Sequence, residues 1–525
     1  MLRKKAIPML LLSLCFLLAS ACFSVQASAN GIHQDSPPKQ VLLIYDSLSL
    51  ETRKEGNVEA IQRLLAAFSV QVTLTSFDRY EAGTLKKYDY LIAVRNAQDL
   101  PELPAVFDRD FAAYSGHYLH VGQHVPDQAA QALELQEEPG GRDTARLTLG
   151  QFSQSPMIVE QLPYIVRYAG KAYGSWSSGS RSKPSPYGVA NGRYGYVPYL
   201  EKGNLSELGL SYLLQDWLAS DGQSQYYAVF KDIYPFSDLG LLKRLADQLY
   251  ESGIPFIASI QPVLSNFDYP AMQRYMETLK YVQSRNGSLV VNAPFVASTI
   301  SQNITTLKDE MSSFIDVLAE HGIAPLGIGA EMYWTYDEHY TARGMSFFDS
   351  IVMFPNERVM YRAPTDTAKT FATSFYTVES GKLEAYGEAA RSGEPLPMNT
   401  ALVFRFPQDE QQLKETVATL QSDWRTFGDY KNTAHAVRTD KHDIRSSRGI
   451  LQINGRTLVL NTTMESVDSN HTYIQEGPKS LDTLFTVQNN IFIVLIITTL
   501  MIFGGFLIVG YRLYKRKYIH PERKL

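Results

Sequence analysis

Charged and polar residues stand at the ends of several apolar runs in the middle of the chain. The run YYAVF ends at Lys231-Asp232, SLVV ends at Asn292, and PLGIGA ends at Glu331. Asp232 and Glu331 would suit glycoside hydrolysis, in which one carboxyl group protonates the leaving oxygen and the other acts as base or nucleophile. The ordinary alternative is that Asp232 pairs with a neighbouring cation and that Glu331 caps a loop.

The residues around these run ends predict a repeated strand-and-helix unit. Predicted strands end every thirty to forty residues, at positions 232, 262, 292 and 331. An amphipathic stretch follows each of the first three and stops at a glycine, namely Gly253, Gly287 or Gly322. Such units are typical of a parallel barrel or an open parallel sheet, and in barrels the carboxyl ends of the strands line the active face. Further strands are predicted at 350–354, 401–406 and 456–461.

The preceding residues, 41–222, predict a separate α/β domain. Apolar strands are predicted at 41–46, 70–77, 88–95 and 117–122. A helix with an apolar stripe separates the first two strands, so we expect a parallel sheet with helices on both faces. We interpret it as a flavodoxin-like or amidotransferase-like domain. Residues 170–198 predict loops and short hairpins, and 205–218 predict a closing helix.

This first domain carries no chemistry that its sequence identifies. Asp46-Ser47-Leu48 follows the first strand in place of a glycine-rich phosphate loop. The spacing of His117, His120 and His124 resembles that of metal ligands. Positions 117 and 120 of a strand point to opposite faces, however, so polar residues at a strand end are the favoured interpretation.

The two ends of the chain predict export and a membrane anchor. A basic start, an apolar run over 7–18 and the Ala27-Ser28-Ala29 site predict a signal peptide over 1–29, with lipidation of Cys22 as the alternative. Residues 491–510 contain no charge, so a transmembrane helix is predicted over 488–511. Because the tail is basic, we expect it to be cytoplasmic and the body to be outside a single-pass cell-membrane anchor. The remaining segments are a linker over 30–40, a stalk over 465–487 and the tail over 512–525.

Composition excludes several kinds of function. A net charge of −5 over 525 residues gives no reason to expect a nucleic-acid partner. Both cysteines, Cys15 and Cys22, lie in the predicted signal peptide. The mature protein would therefore have no disulfide, no thiolate nucleophile and no cysteine-based metal site.

Four segments together resemble the NodB-type polysaccharide deacetylases. They are FKDIYPFSD, LLKRLADQLYESGIPFIASIQPVL, GSLVVNAPFVAS and HGIAPLGIGAE, in that order and spacing, within residues 224–410. The chain is most similar to an uncharacterised branch of exported, deacetylase-like bacterial proteins. The resemblance implies a (β/α) barrel over 223–464. Members with a similar layout accompany exopolysaccharide synthesis machinery, which implies surface polysaccharide of a biofilm and membrane synthase subunits as partners.

The residues that match the family's catalytic positions differ from those of active members. Active members end the first strand in two aspartates, a base and a metal ligand, and carry two histidine ligands on the third strand. The metal polarises the acetyl carbonyl while the carboxylate takes a proton. Asp232 matches the metal-binding aspartate, but the base matches Lys231. The histidines match Asn292 and Val296, and Phe406 stands where a later histidine is often found.

These departures argue against metal-dependent deacetylation. A charged lysine accepts no proton, and zinc normally takes three or more protein ligands. We therefore expect no cofactor and a catalytically degenerate accessory protein that binds polysaccharide. Five aromatic residues would offer stacking faces to sugar rings, with packing of the barrel mouth as the alternative: Tyr234, Phe236, Tyr333, Trp334 and Tyr336.

The competing hypothesis is an active carbohydrate hydrolase. One form is a glycosidase that uses Asp232 and Glu331. The other is a deacetylase with an irregular divalent-metal site, for which His321 and the segment EMYWTYDEH (331–339) would supply ligands. Within that segment Glu331, Asp337, Glu338 and His339 are the metal-ligand candidates to join Asp232, and a solvated acidic loop is the alternative.

Overall fold

The computed structural model describes residues 38–100, 102–220, 222, 224–264, 266–294, 305–387, 395–423, 425–460, 463–467 and 481–516. The predicted signal peptide, Val296 and most of the stalk and basic tail lie outside these residues. The chain divides into two compact units, of which the first ends at Val467 and the second begins at Asp468.

A mixed sheet of nine strands forms the first part of the body. Its parallel strands are β1 (Gln40–Tyr45), β2 (Gln71–Ser76), β3 (Tyr90–Arg95) and β4 (His117–Gly122). Its remaining strands are β6 (Arg142–Leu149), β7 (Phe152–Glu160), β9 (Lys171–Ser178), β10 (Ser185–Asn191) and β11 (Tyr194–Val197). Two further strands, β5 (Gln136–Glu138) and β8 (Tyr164–Arg167), lie outside this sheet. The helices are α1 (Asn57–Ala67), α2 (Ala105–Ala112), α3 (Asp127–Ala132) and α4 (Leu205–Trp217).

The order of this sheet is β2-β1-β3-β4-β11-β10-β9-β6-β7, and β5 pairs separately with β8. The four parallel strands lie where the apolar runs predicted them. Residues 170–198, predicted as loops and short hairpins, form β9, β10 and β11, which widen the sheet with antiparallel pairs. The finer assignment as flavodoxin-like or amidotransferase-like stays a prediction.

Seven parallel strands close into a barrel in the second part of the body. They are β12 (Tyr226–Ile233), β13 (Phe256–Ile260), β14 (Gly287–Asn292), β15 (Pro325–Glu331), β16 (Ser350–Phe354), β17 (Thr373–Glu379) and β18 (Thr400–Arg405). The helices between and after them are α5 (Leu239–Glu251), α6 (Pro270–Ser284), α7 (Thr305–Glu320), α8 (Glu338–Arg343), α9 (Ser380–Glu384) and α10 (Glu410–Ser422). The predicted parallel barrel is thus confirmed.

Local sequence explains where the barrel helices begin. The Asp238 carboxylate accepts a hydrogen bond from the Leu241 N–H at 2.9 Å and starts α5. Asp409 does the same for the Gln412 N–H at 2.8 Å before α10. These caps satisfy amide groups that the first turn of a helix leaves without partners.

A small antiparallel sheet packs near the amino-terminal ends of the barrel strands. Its strands are β19 (His435–Arg438), β20 (Asp443–Ser447), β21 (Ile450–Ile453) and β22 (Arg456–Thr457). Aromatic rings connect it to the barrel interior: the Phe375 ring lies 5.0 Å from that of Tyr430, which lies 3.9 Å from that of His435. Burial lowers the pKa of His435 to about 4, so its imidazole is neutral and serves as packing. The strand predicted over 456–461 is reduced to β22, because Val459 is 86% exposed and has no face to bury.

The two parts of the body share one hydrophobic core. Chain between β16 and β17 runs as loop rather than helix, and α1 of the first sheet packs against β17 in its place. The Leu74 N–H donates to the Asp366 carbonyl and the Ala368 N–H to the Val72 carbonyl, at 2.7 and 2.9 Å. The predicted boundary at 222 and 223 lies between α4 and β12.

The second compact unit contains a single long helix, α11 (Leu481–Tyr514). Its segment Phe492–Tyr514 has 23 residues and a mean hydropathy of 2.8. At about 1.5 Å per residue it is longer than the roughly 30 Å of a hydrocarbon core. The predicted apolar anchor is confirmed as a helix able to span a membrane, and the side on which each end lies stays a prediction.

Candidate functional site at the barrel rim

The carboxyl ends of β12 to β16 meet at one end of the barrel, as parallel strands require. Alternation along each strand directs Lys231, Ser259, Asn292 and Glu331 to the inside of the barrel. The contact between the Ser259 hydroxyl and the Asn292 side-chain oxygen, 3.5 Å apart, agrees with this placement. The rim is therefore lined by polar and charged groups.

Lys231, at the position that matches the family's base, is occupied by an ion pair. Its Nζ lies 3.2 Å from Oε1 of Glu357 and 5.9 Å from the centroid of the Phe354 ring. The lysine side chain is 15% exposed and that of Glu357 is 68% exposed. Because Glu357 lies in water, the pair adds about 0–1 kcal/mol to stability. A paired cation therefore occupies this end of β12.

Glu331 holds the loop that carries this partner. Its Oε2 accepts hydrogen bonds from the backbone N–H groups of Glu357 and Arg358, at 2.7 and 3.3 Å. Burial raises the pKa of the Glu331 carboxyl, while these two N–H groups and the charge of Lys231 oppose the shift. The loop-capping alternative is the geometry observed. A raised pKa is also what a general acid needs, so both roles remain compatible with this carboxyl.

Asp232 lies at a local irregularity of β12. Pairing with β13 shifts register between Phe230 and Ile233, and Asp232 has φ of +68°. This left-handed conformation costs most residues energy, although aspartate tolerates it better than others. Within the described part of the chain, its carboxylate has no hydrogen-bond or ion-pair partner. The sequence left open that Asp232 pairs with a neighbouring cation. Among the described residues, it forms no such pair.

Asn292 packs tightly inside the rim. A Cβ atom added at Gly329 would lie 2.9 Å from the Phe354 ring, 3.0 Å from the Ser259 hydroxyl and 3.2 Å from the Asn292 side-chain oxygen. A side chain at position 329 would therefore crowd Phe354 first, and Ser259 and Asn292 would have to shift slightly. Val296, the second position that matches a family histidine, lies outside the described residues.

The metal-ligand candidates do not come together. Among the described residues, no group of three or more His, Cys, Asp or Glu side chains could hold a metal ion. Asp337 is fully buried as the cap of α8, where its carboxylate accepts from the Tyr340 N–H at 3.0 Å. His339 lies in the first turn of α8. His321 precedes β15 and therefore lies at the opposite end of the barrel from the rim, with its Nδ1 2.8 Å from the Val317 carbonyl oxygen.

The three histidines of the first sheet also have separate environments. His120 is fully buried and bonds the Tyr118 hydroxyl and the Gln123 carbonyl, at 2.8 and 2.7 Å. Burial lowers its pKa to about 3. The His117 ring stacks on Tyr90 with centroids 4.8 Å apart. His117 and His120 thus pack within the strand. His124 follows the strand, and its Nε2 lies 2.9 Å from the Gln98 carbonyl oxygen.

The structure divides the five aromatic candidates into two groups. Tyr333, Trp334 and Tyr336 form a 3-10 turn after β15 and are 4%, 2% and 4% exposed. Their faces are covered by protein, so they pack the barrel mouth instead of offering faces to sugars. Tyr234 and Phe236 stack on each other with centroids 4.9 Å apart, and Phe236 is 83% exposed. This pair, directly after β12, is the aromatic surface that remains for a ligand.

Sequence reasoning missed two residues of the rim. Glu357 lies in a loop with no periodic pattern, and only the fold brings it to Lys231. Ser259 could have been found, because it is the polar residue of the apolar run FIASI (256–260) and lies close to its end.

Comparison with known proteins gives one distant similarity. No family model matches the chain. Over 304 residues the chain is 24% identical to the uncharacterized protein YdaL of Bacillus subtilis (strain 168). The aligned part is 54% of this chain and 49% of that protein, so the match spans about half the length of the relative.

Proposed function

We propose that this protein is a membrane-anchored, deacetylase-like protein that binds surface polysaccharide outside the cytoplasm without deacetylating it. It would act as an accessory component of exopolysaccharide synthesis or modification, next to a membrane synthase. The observation that carries the proposal is the ion pair between Lys231 and Glu357 at the position of the base.

Two further observations support binding without metal chemistry. The described residues contain no group of side chains suited to a metal ion. Tyr234 and Phe236 form an exposed stacked pair beside a rim of polar groups. Aromatic faces next to hydrogen-bonding side chains are the combination that sugar rings, with apolar faces and polar edges, require.

The direct test is isothermal titration of the full chain in detergent with N-acetylated hexosamine oligosaccharides. Phe236→Ala is expected to weaken binding at least tenfold, because it removes the exposed stacking face. Tyr250→Ala is the matched control, since Tyr250 is an aromatic residue of α5 that is 43% exposed. Absence of binding by the wild type, or equal loss in both variants, would contradict the proposal.

A glycosidase that uses Asp232 and Glu331 is the second candidate. The raised pKa of Glu331 and the unpaired carboxylate of Asp232 favour it. The test is whether the wild type releases reducing ends from an oligosaccharide and whether Asp232→Asn and Glu331→Gln each abolish that release. If both hold, the function is hydrolysis and not binding alone.

A further inference from the structure

A cavity of about 80 Å³ lies where the first sheet meets the barrel, beside the carboxyl ends of β16, β17 and β18. Arg63 of α1 and Glu207 of α4 line it from one side, and Thr377 and Val403 of the barrel line it from the other. Ligand pockets form preferentially at such junctions between structural parts. Neither sequence pattern nor the barrel rim described above includes this cavity.

Strand pairing explains why the cavity exists. β17 pairs with β16 from Thr373 to Tyr376 and with β18 from Tyr376 to Glu379. The carboxyl end of β17, from Thr377 to Glu379, therefore extends beyond its pairing with β16. On the side facing β16, its backbone groups have no strand partner among the described residues. Arg63 reaches into this gap and donates from Nη2 to the Thr377 carbonyl at 2.8 Å.

Arg63 has hydrogen-bonding capacity left at the cavity. The residue is 5% exposed, and its Nε has no hydrogen-bond partner in the described structure. Its other nitrogens are engaged by Thr377 and by Glu207, 3.4 Å from Nη1. A buried N–H without a partner is costly, so a ligand oxygen placed there would gain a charge-assisted hydrogen bond.

Further positive groups surround the same space. α4 begins at Leu205 with Asn204 as its cap, so the positive end of this 13-residue helix lies at the cavity. Its first N–H groups already donate to Gln154 and Asn204, so the helix contributes its dipole and not free donors. Lys382 also lines the cavity, and its Nζ would lie 3.6 Å from a Cβ atom at Gly203. Among the described residues Lys382 forms no salt bridge.

One of the two carboxylates of the cavity, Glu207, and the other cation, Lys202, already have partners. Glu207 accepts from the Gly203 N–H at 2.6 Å and from the Tyr376 hydroxyl. Lys202 is paired with Glu59 at 2.7 Å. Glu379 is the exposed residue that precedes α9. Lys382 and the Nε of Arg63 are thus the positive groups left for a ligand.

We propose that this cavity binds an anionic substituent, a carboxylate or a phosphate, of a sugar unit. Arg63 would hold its oxygens, the dipole of α4 would favour its charge, and Lys382 would close over it from the exposed side. The anion chemistry stands on the cavity alone, whereas the sugar as its carrier rests on the proposed function.

Titration calorimetry of the full chain in detergent tests this with three probes at constant ionic strength: sodium glucuronate, inorganic phosphate and glucose. We expect an anionic probe to bind, glucose not to bind, and Lys382→Ala to weaken the anion at least tenfold. Lys414→Ala, which removes an exposed lysine on α10, is the control and should leave affinity unchanged. Binding of glucuronate or of phosphate tells which anion the cavity takes.

Two results would overturn the inference. One is that the wild type binds neither anion. The other is that Lys382→Glu, which reverses the charge, leaves affinity unchanged or weakens it no more than Lys414→Ala does. Because these probes are small and do not engage Phe236, their binding is measured independently of the oligosaccharide titration.

Discussion

Removing the Arg63 cation should destabilise the whole body of the protein. Arg63 and Glu207 pair with each other and bond Thr377 and Tyr376 of the barrel, and their side chains are 6% and 4% exposed. The guanidinium also lies 4.5 Å from the centroid of the Tyr376 ring. Arg63→Met keeps an unbranched apolar side chain but leaves the Glu207 carboxylate buried without its counter-charge.

The magnitude follows from burial. Removing one partner of a buried pair costs about 3–5 kcal/mol, since the remaining charge stays desolvated. Hydrogen bonds to Glu207 from Gly203 and Tyr376 remain, which places the expected loss for Arg63→Met at the lower end, about 3 kcal/mol. Arg142→Met is the control, because its pair with Glu160 is 73% and 49% exposed, and it should cost at most about 1 kcal/mol.

The assay is urea unfolding of the full chain in detergent, followed by tryptophan fluorescence. A single transition is expected, because the first sheet and the barrel share one core. The double variant Arg63→Met, Glu207→Gln should recover part of the loss, since it leaves no unpaired buried charge. If Arg63→Met lies within about 1 kcal/mol of Arg142→Met, Glu207 is not desolvated and the reasoning is refuted.

Three further outcomes are expected. Asp232→Gly should raise the free energy of unfolding by about 1 kcal/mol, because glycine adopts a φ of +68° without strain; destabilisation in urea would contradict this. Burial raises the pKa of Glu331 above its ordinary 4.5, so its contribution to stability is full below that value and lost as pH rises through the folded pKa. The stability of wild type relative to Glu331→Gln should therefore fall as pH rises above 4.5, and a rise would show the opposite shift. Dialysis against EDTA should leave Tm unchanged, whereas a drop of several degrees would reveal a bound metal that stabilises the fold.

The regular strands of the barrel could be predicted because local patterns determine them. Apolar runs followed by amphipathic stretches ending in glycine placed β12 to β15, with their polar ends on one rim. β17 escaped prediction, because no barrel helix separates it from β16 and the repeating rhythm stops there. Its outer face is covered by α1, a helix some three hundred residues earlier in the chain. The sequence pattern around β17 gives no indication of a contact with so distant a segment.

The state of each rim side chain depended on contacts that sequence does not contain. Tyr333, Trp334 and Tyr336 have the composition of a sugar-binding surface, but a tight turn after β15 buries them. Phe236 has the same composition and remains exposed. Lys231 acquires its partner, Glu357, from a loop 126 residues away in the chain. Arg63 lies on the face of α1 away from its apolar stripe, and only the gap beside β17 explains why a cation there is buried.

Oligosaccharide binding in the presence of EDTA, with acetate release measured in the same sample, tests the central claim most directly. Binding that persists under chelation and depends on Phe236, with no acetate released before or after divalent metal is added, is the predicted result. Binding or acetate release that appears only when zinc or another divalent metal is supplied would contradict it, because the rim would then be a working deacetylase site.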